Sequence, residues 1–557
     1  MELRNTNIAV ASLVAVPLLL TAADALAQRL TNVPNANPRI VGVTSPTVLS
    51  PELVQIVRAQ GSMLVENPMD LVKYYGYLGV SPDPTNLMPA SGSNVEASKT
   101  EPDKNTYLVL HGLKGADSHY DYGKHFLFQG HEGPFNGPDA TAKKGYITRI
   151  NLDADVAHRV TVLATRDKDG NQLPIFDGST WNPFANRLLF TWEGDGTTTP
   201  ATGGGVWQAT LDFPPLVENL LGVFGRGGFE GIQNDSAGNL WIAEDIGGST
   251  VAGARLPNSF LFRFIPADTR DLTKGGKLQA LQVLSLANPG KPIEFQTVTA
   301  LTQDMKDLHT YGTVFDTKWV TIRDNAVDGF GVFSANQLAK DKHATPFKRP
   351  ENGVFRPGSS FREFFFTETG DTSATSTAIP DHGGFGGIMK LTQSSPSADT
   401  GHLTLFVKGD LEHTAFDNIA FWGEHRLAVV EDRGEGLHTA GNALDSGWLY
   451  DTRKNYADSS NKPIRIIAQG RDPSATIDAA LLGSTGFVND GDNEITGIHV
   501  SDGDPHHGGI LGAKIPRPFK DGWRVFYTQQ HGDNVTYEII RAPSLDGDDD
   551  DDHGHRH

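Results

Sequence analysis

Three segments of the chain repeat one arrangement of carboxylates and apolar residues. Glu230-Gly231-Ile232 leads on to Leu240-Trp241-Ile242-Ala243-Glu244-Asp245. Glu351-Asn352-Gly353-Val354 leads on to Phe364-Phe365-Phe366-Thr367-Glu368, and Asp417-Asn418-Ile419-Ala420 to Leu427-Ala428-Val429-Val430-Glu431-Asp432. In each, a polar residue opens a short apolar stretch, a turn follows, and an apolar run ends on a second carboxylate. The two polar positions lie 13 to 17 residues apart, the span of two antiparallel strands and their turn. Both therefore end on the same side of a sheet. Stacked radially, such units put a ring of carboxylates and amides at one mouth of a central channel. Carboxylates so placed repel one another and raise each other's pKa unless a cation lies between them. Oxygen donors converging from separate strands suit a hard metal ion.

The residues opening the inner strands are the first candidates: Glu230, Glu351 with Asn352, Asp417 with Asn418, and Glu494 in Asp492-Asn493-Glu494-Ile495-Thr496. The residues closing the second strands lie one strand further from the axis: Glu132 with His131, Glu193, Glu244, Glu368, Glu431 and His531. They could be further ligands, supports for the ligands, or acid/base groups. The metal set expected from both groups is Glu132, Glu230, Glu351, Glu368, Asn418, Glu431 and Glu494. His131 is the candidate acid or base. Arg349 and Arg433 stand next to ring units and could take a phosphate oxyanion bidentately. Asp502-Gly503-Asp504-Pro505-His506-His507 reads as a metal loop or a solvated turn, and Asp167-Lys168-Asp169-Gly170-Asn171 as a hairpin turn. No serine-hydrolase elbow, phosphate-cradling loop or dinucleotide fingerprint stands in a strand–helix context.

The elements that must position these residues are short strands. Gly (61), Pro (32) and Phe (29) are plentiful, a composition of many strands joined by turns. Apolar runs ending in a polar cluster occur at 126–132, 188–193, 240–245, 319–324, 364–371, 427–432 and 523–531. Seven such runs predict an all-β fold, a single β-propeller over residues 101–543 with seven blades; six or eight also fit, because the Arg323-Asp324 unit lacks a clear partner. Insertions at 197–205 and 371–387 follow carboxylate-bearing strand ends and are expected at the functional mouth. Ser50 as N-cap and Pro51 in the first turn predict a short helix within 50–77, part of an N-terminal extension over 28–100. Asp548 to Asp552 and the histidines after them make residues 544–557 a disordered acidic tail.

A net charge of −20 excludes a nucleic-acid surface and an anionic-membrane surface, which need clustered Lys and Arg. Residues 1–27 read as a secretory signal: Arg4, an apolar core from Ile8 to Ala22, and a small-x-small site at Ala25-Leu26-Ala27, with cleavage after Ala27. The core is too short for a membrane span, and no other segment reaches one. A periplasmic or secreted protein is expected, exported through the general secretory route. Cysteine is absent, so there is no disulfide, thiolate ligand or thiol nucleophile. Ligands drawn from carboxylates, amides and imidazoles favour Ca²⁺ or Mn²⁺.

At His131-Glu132, at Phe347-Lys348-Arg349-Pro350-Glu351-Asn352, and at Asp417-Asn418-Ile419-Ala420 with Leu427 to Asp432, the chain resembles the PhoX-like family. These are exported, metal-dependent alkaline phosphatases with a β-propeller fold. The resemblance spans about residues 120–535. It implies a multinuclear calcium–iron site at the channel mouth that hydrolyses phosphate esters, with Glu132, Glu230, Glu351, Asn418 and Glu431 among its residues. Two features depart from the family: the missing cysteine that helps hold its iron, and the missing twin-arginine export signal. A cysteine-free, carboxylate-rich propeller is also similar to bacterial phosphotriesterases, or haloalkylphosphorus hydrolases, with a binuclear manganese site. The expectation is an exported phosphoester hydrolase with a di- or multinuclear metal site, Mn and/or Ca, acting on a small phosphoester. The alternatives are a lactonase- or phytase-like propeller with one Ca²⁺, and a binding propeller that Ca²⁺ merely pins together.

Overall fold

The computed structural model of the chain describes residues 30–39, 45–70, 72–77, 100–133, 145–194, 203–297, 300–375, 380–470, 494–530 and 534–543. The signal segment, the acidic tail, Asp492 and His531 lie outside the described residues.

Strict alternation along the second strands sets the architecture. In Glu363–Glu368, Phe364 and Phe366 pack with Trp241 and Leu261 of the preceding sheet, whereas Phe365 packs with Ile419 and Leu427 of the following one. In His125–Gly130, Phe126 and Phe128 likewise face one neighbour and Leu127 the other. A strand buried on both faces belongs inside a stack of sheets, and a stack that returns on itself is a propeller.

The described strands form six antiparallel units of four strands around the ring, one fewer than the seven expected, and the fifth carries Val48–Leu49 as an added outer strand. Their innermost strands are Thr106–Val109, Ser179–Asn182, Phe229–Asn234, Pro350–Phe355, Phe416–Phe421 and Glu494–Ser501. These inner strands touch in cyclic order, the last returning to the first. Six large apolar clusters fill the six spaces between neighbouring blades. The surplus run, Trp319 to Asp324, belongs to the outer strand Val314–Asp324. That strand pairs with Gly276–Val283 on one side and Thr400–Lys408 on the other, fusing blades 3 and 4 into one nine-stranded sheet. It opens no unit, because both of its edges are taken by outer strands of the two blades.

The helix expected after Ser50 is also absent. The Ser50 carbonyl accepts from Leu53 N in a turn, and Leu53–Ala59 is a strand paired with Val535–Arg541. Val54, Ile56 and Val57 are β-branched, and the last blade offers them an unpaired edge, so pairing overrides the cap signal. The N-terminal segment thereby supplies the outer strand of blade 6 and ties the two ends of the ring together. Among the described residues no helix is long and apolar enough to cross a membrane.

Candidate metal centre

The inner strands reach the axis through bulges. Register steps from Phe229↔Glu244 to Ile232↔Ile242, leaving Glu230-Gly231 opposite one residue. The same step leaves Glu351-Asn352, Asp417-Asn418 and Gly497-Ile498 bulged in blades 4, 5 and 6. A bulge re-aims the side chain it carries, here toward the channel. Space at the axis is short. A Cβ on Gly231 would stand 2.6 Å from Asn352 Oδ1 and 2.7 Å from the Glu351 carbonyl oxygen. Threonines on second strands latch the bulges across blades: Thr191 donates to the Glu230 carbonyl, and Thr367 to the Asp417 carbonyl at 2.6 Å.

Each blade delivers one carboxylate to the mouth: Asp103, Asp177, Glu230, Glu351, Asp417 and Glu494. Five are buried and Glu494 is half-buried. Oxygens of Asp103, Asp177 and Glu230 lie within 4.8 Å of one another, as do those of Glu230, Glu351 and Asp417, and those of Glu132, Asp177 and Glu193. Burial, reinforced by neighbouring carboxylates, pushes Glu132, Asp177, Glu230, Glu351, Asp417 and Glu494 well above the usual carboxylate range. Burial raises Asp103 to about 6, against the hydrogen bond from Thr496. Among the described residues, no hydrogen-bond donor meets the buried Asp177 Oδ1 or Asp417 Oδ2. Buried, mutually repelling and partly unpaired oxygens are a donor set that a divalent cation fits.

Arg349 stands at this mouth. Its backbone is left-handed, with φ 59°. Its Nε and Nη2 grip Asp245 at 2.7–3.0 Å, and Nη2 lies 3.8 Å from Glu351 Oε1. Its side chain stays 20% exposed, enough to meet a ligand in the mouth.

The PhoX alkaline phosphatase family model matches residues 253–505. The chain resembles PhoX. A solved structure, Pseudomonas fluorescens PhoX in complex with vanadate, a transition state analogue, superposes with a TM-score of 0.53 over 92% of this chain and 98% of that one. At 12% identity that likeness shows the fold. An outer coat vertex of COPII (8% identity, TM-score 0.33, 81% of this chain and 86% of that one) and a GH43_1 enzyme from Xanthomonas citri (11%, 0.25, 64% and 88%) follow at scores too low to carry an argument. No curated protein matches the sequence. The chain has no cysteine, so no thiolate is available to a metal here. The oxygen donors fit hard ions instead.

Of the residues expected from the PhoX resemblance and the repeat, Glu132, Glu230, Glu351 and Glu494 do converge at the mouth. Five others, His131, Glu368, Asn418, Glu431 and Arg433, are bonded to protein partners, as is Glu244. His131 is fully buried, its Nδ1 at 3.1 Å from the Thr100 carbonyl, its Nε2 at 2.9 Å from Thr148 Oγ1, and its ring stacked on Tyr146. Burial lowers its pKa to about 3, so it has no proton to give near neutrality. Glu431 is enclosed by the amides of Thr414 and Ser446, Trp448 Nε1 and Arg433. Arg433 is buried on that carboxylate and on the Glu412 carbonyl, away from the mouth. Glu368 accepts from the Lys348 amide and meets His309 Nε2 at 3.0 Å. Glu244 repeats the pattern, accepting from the Phe260 amide and Asn336. These second-strand carboxylates cap the blades from within. Asn418 spends Oδ1 on Lys104 Nζ at 2.6 Å and Nδ2 on Asp417 and Thr496.

Asp103, Lys104 and Asp177 escaped the sequence reading. Asp177 precedes Glu193 by the same interval as the other units and was findable on that spacing. Asp103 was not, because the loop at 110–124 separates its inner strand from the next. The Asp502 and Asp504 turn is neutralised by Lys514 at 2.7 and 2.8 Å, and Asp167 caps its own hairpin turn.

Proposed function

We propose that the chain is an exported, metal-dependent phosphoester hydrolase whose active site is the carboxylate ring at the axial mouth. What carries this reading is the convergence of carboxylates from five of the six blades into three overlapping groups, in a chain that the PhoX family model matches over residues 253–505.

Glu230, Glu351 and Asp417 would hold one ion, Asp103, Asp177 and Glu230 form a second group able to hold one, and Glu132 and Glu193 with Asp177 a third. With oxygen donors alone the ions are Ca²⁺ or Mn²⁺. When bound they supply a Lewis acid for a phosphoryl oxygen and lower the pKa of a coordinated water. Arg349 receives a second phosphoryl oxygen. Asp245 fixes its guanidinium through two nitrogens, so the charge is positioned before substrate arrives. Burial of the ring strengthens each of these interactions relative to water. The signal at residues 1–27 directs the protein to a periplasm or the exterior, where ions are loaded after export.

The test is hydrolysis of chromogenic phosphate mono-, di- and triesters by chelator-stripped protein, with Ca²⁺, Mn²⁺ or Fe added back. Restored turnover is the expected result, and the preferred ester and ion assign the substrate class. Protein that binds metal yet turns over only lactones, or nothing, overturns the reading.

A further inference from the structure

The ring contains a cation of its own. Lys104 follows Asp103 just before the inner strand of blade 1 and is 2% exposed. Its ammonium donates to Asn418 Oδ1, two blades away, at 2.6 Å. Asn418 is held in the matching orientation: its Nδ2 donates to Asp417 Oδ1 at 2.8 Å and to Thr496 Oγ1 at 3.0 Å. Thr496 in turn donates to Asp103 Oδ1 at 2.5 Å. The ammonium is thus fixed between the two acidic residues that flank blade 6, and its charge also acts on Glu230 and Asp177.

The three carboxylate groups able to hold an ion leave a gap at this point. They run Glu132–Asp177–Glu193, Asp103–Asp177–Glu230 and Glu230–Glu351–Asp417. Among the described residues no such group spans Asp417 to Asp103, and Lys104 with Asn418 occupies that span. The other cationic side chain of the mouth, Arg349, is committed to Asp245. An ammonium in a buried acidic site takes a charge and a set of oxygens that a metal would otherwise take.

We propose that Lys104 is a resident cation that closes the ring in place of a divalent ion, so that the metals are confined to the Glu230 side of the mouth. The inference rests on the metal reading given above. It assigns Asn418 to Lys104 and withdraws it from the metal set. It also makes the bound-ion number a property of one side chain: without the ammonium, the charges of Asp103, Asp417 and Glu494, which act on one another, have no cation between them, and a further divalent ion is the expected counter-charge.

The test is the number of ions bound per chain, measured by elemental analysis on Mn²⁺-loaded protein and compared among wild type, Lys104→Gln and Lys104→Arg. Lys104→Gln is expected to bind one more equivalent than wild type, and Lys104→Arg the same number as wild type. Equal binding by wild type and Lys104→Gln, with native circular dichroism, overturns this inference alone. No Mn²⁺ or Ca²⁺ bound by any of the three overturns the metal reading as well. Should Lys104→Gln not fold, anomalous scattering from Mn²⁺-loaded wild-type crystals decides. Ions on the Glu230 side with Lys104 still on Asn418 Oδ1 support the inference, and an ion on Asn418 Oδ1 overturns it.

Discussion

Glu351 and Glu368 belong to adjacent strands at the same end of one blade, yet their carboxylates turn to different partners. Glu368 pairs with Pro350, the residue just before Glu351. The bulge at Glu351-Asn352 turns Glu351 to the axis beside Glu230 and Asp417, where Thr369 donates to it. Glu368 turns back on His309 and the Lys348 amide. Blade 5 repeats the division with Asp417 and Glu431, and blade 3 with Glu230 and Glu244. In these three blades the inner carboxylates face the mouth, and the second-strand carboxylates are bonded to nearby amides and side chains.

Glu351→Gln therefore removes a charge from the shared metal group without removing a cap. Turnover of the preferred phosphoester is expected to fall ~100-fold or more, with less metal bound and an unchanged circular dichroism spectrum. Full turnover and full metal content in this variant would falsify the assignment of the ring.

Arg349→Lys keeps the charge and loses the two-pronged grip on Asp245. A drop of about 10- to 100-fold in kcat/KM is expected. Steady-state kinetics with a phosphate monoester measures it, and metal content should not change.

Glu431→Ala is expected to act on stability. It strands the buried Arg433 and the amides of Thr414 and Ser446, at a cost of about 3–5 kcal/mol. Denaturant unfolding of the metal-loaded protein reads the loss. The protein that remains folded should bind its full complement of ions, which a metal ligand could not.

Glu244 carries a pH dependence separate from the ring. Burial raises its carboxyl to about 8, above its unfolded value, so the stability it contributes is complete below ~4.5 and is lost as pH rises through about 8. Glu244→Gln keeps an oxygen for the Phe260 amide and Asn336 and removes the charge. Thermal melts from pH 6 to 9 should fall less steeply for the variant. Parallel slopes would show that Glu244 is not the group responsible.

Chelation should destabilise the fold, because ions bound to the native ring have no equivalent site in the unfolded chain. An ion at a hundredfold excess over its Kd stabilises by about 2.7 kcal/mol. A melting temperature indifferent to chelator in dialysed protein would place no ion in the ring.

The sequence by itself determined the local grammar of this protein. Alternating apolar runs such as Phe364-Phe365-Phe366 specify strands buried on both faces, and a carboxylate before each inner strand specifies a polar mouth. Period-two burial and strand–turn spacing are written in consecutive residues, so they can be read there. Tertiary structure alone decided which polar residues meet. Trp319 to Asp324 has the pattern of a blade and became a bridge between two blades, because the edges of Gly276–Val283 and Thr400–Lys408 were free to pair with it. Ser50-Pro51 has the pattern of a helix start and leads into a strand, because blade 6 lacked its outer member. Lys104 and Asn418, 314 residues apart, share a hydrogen bond only because the ring closes. Closure is a long-range event: it sets the blade number, aims the bulges, and brings an ammonium among carboxylates that nothing local to Lys104 announces.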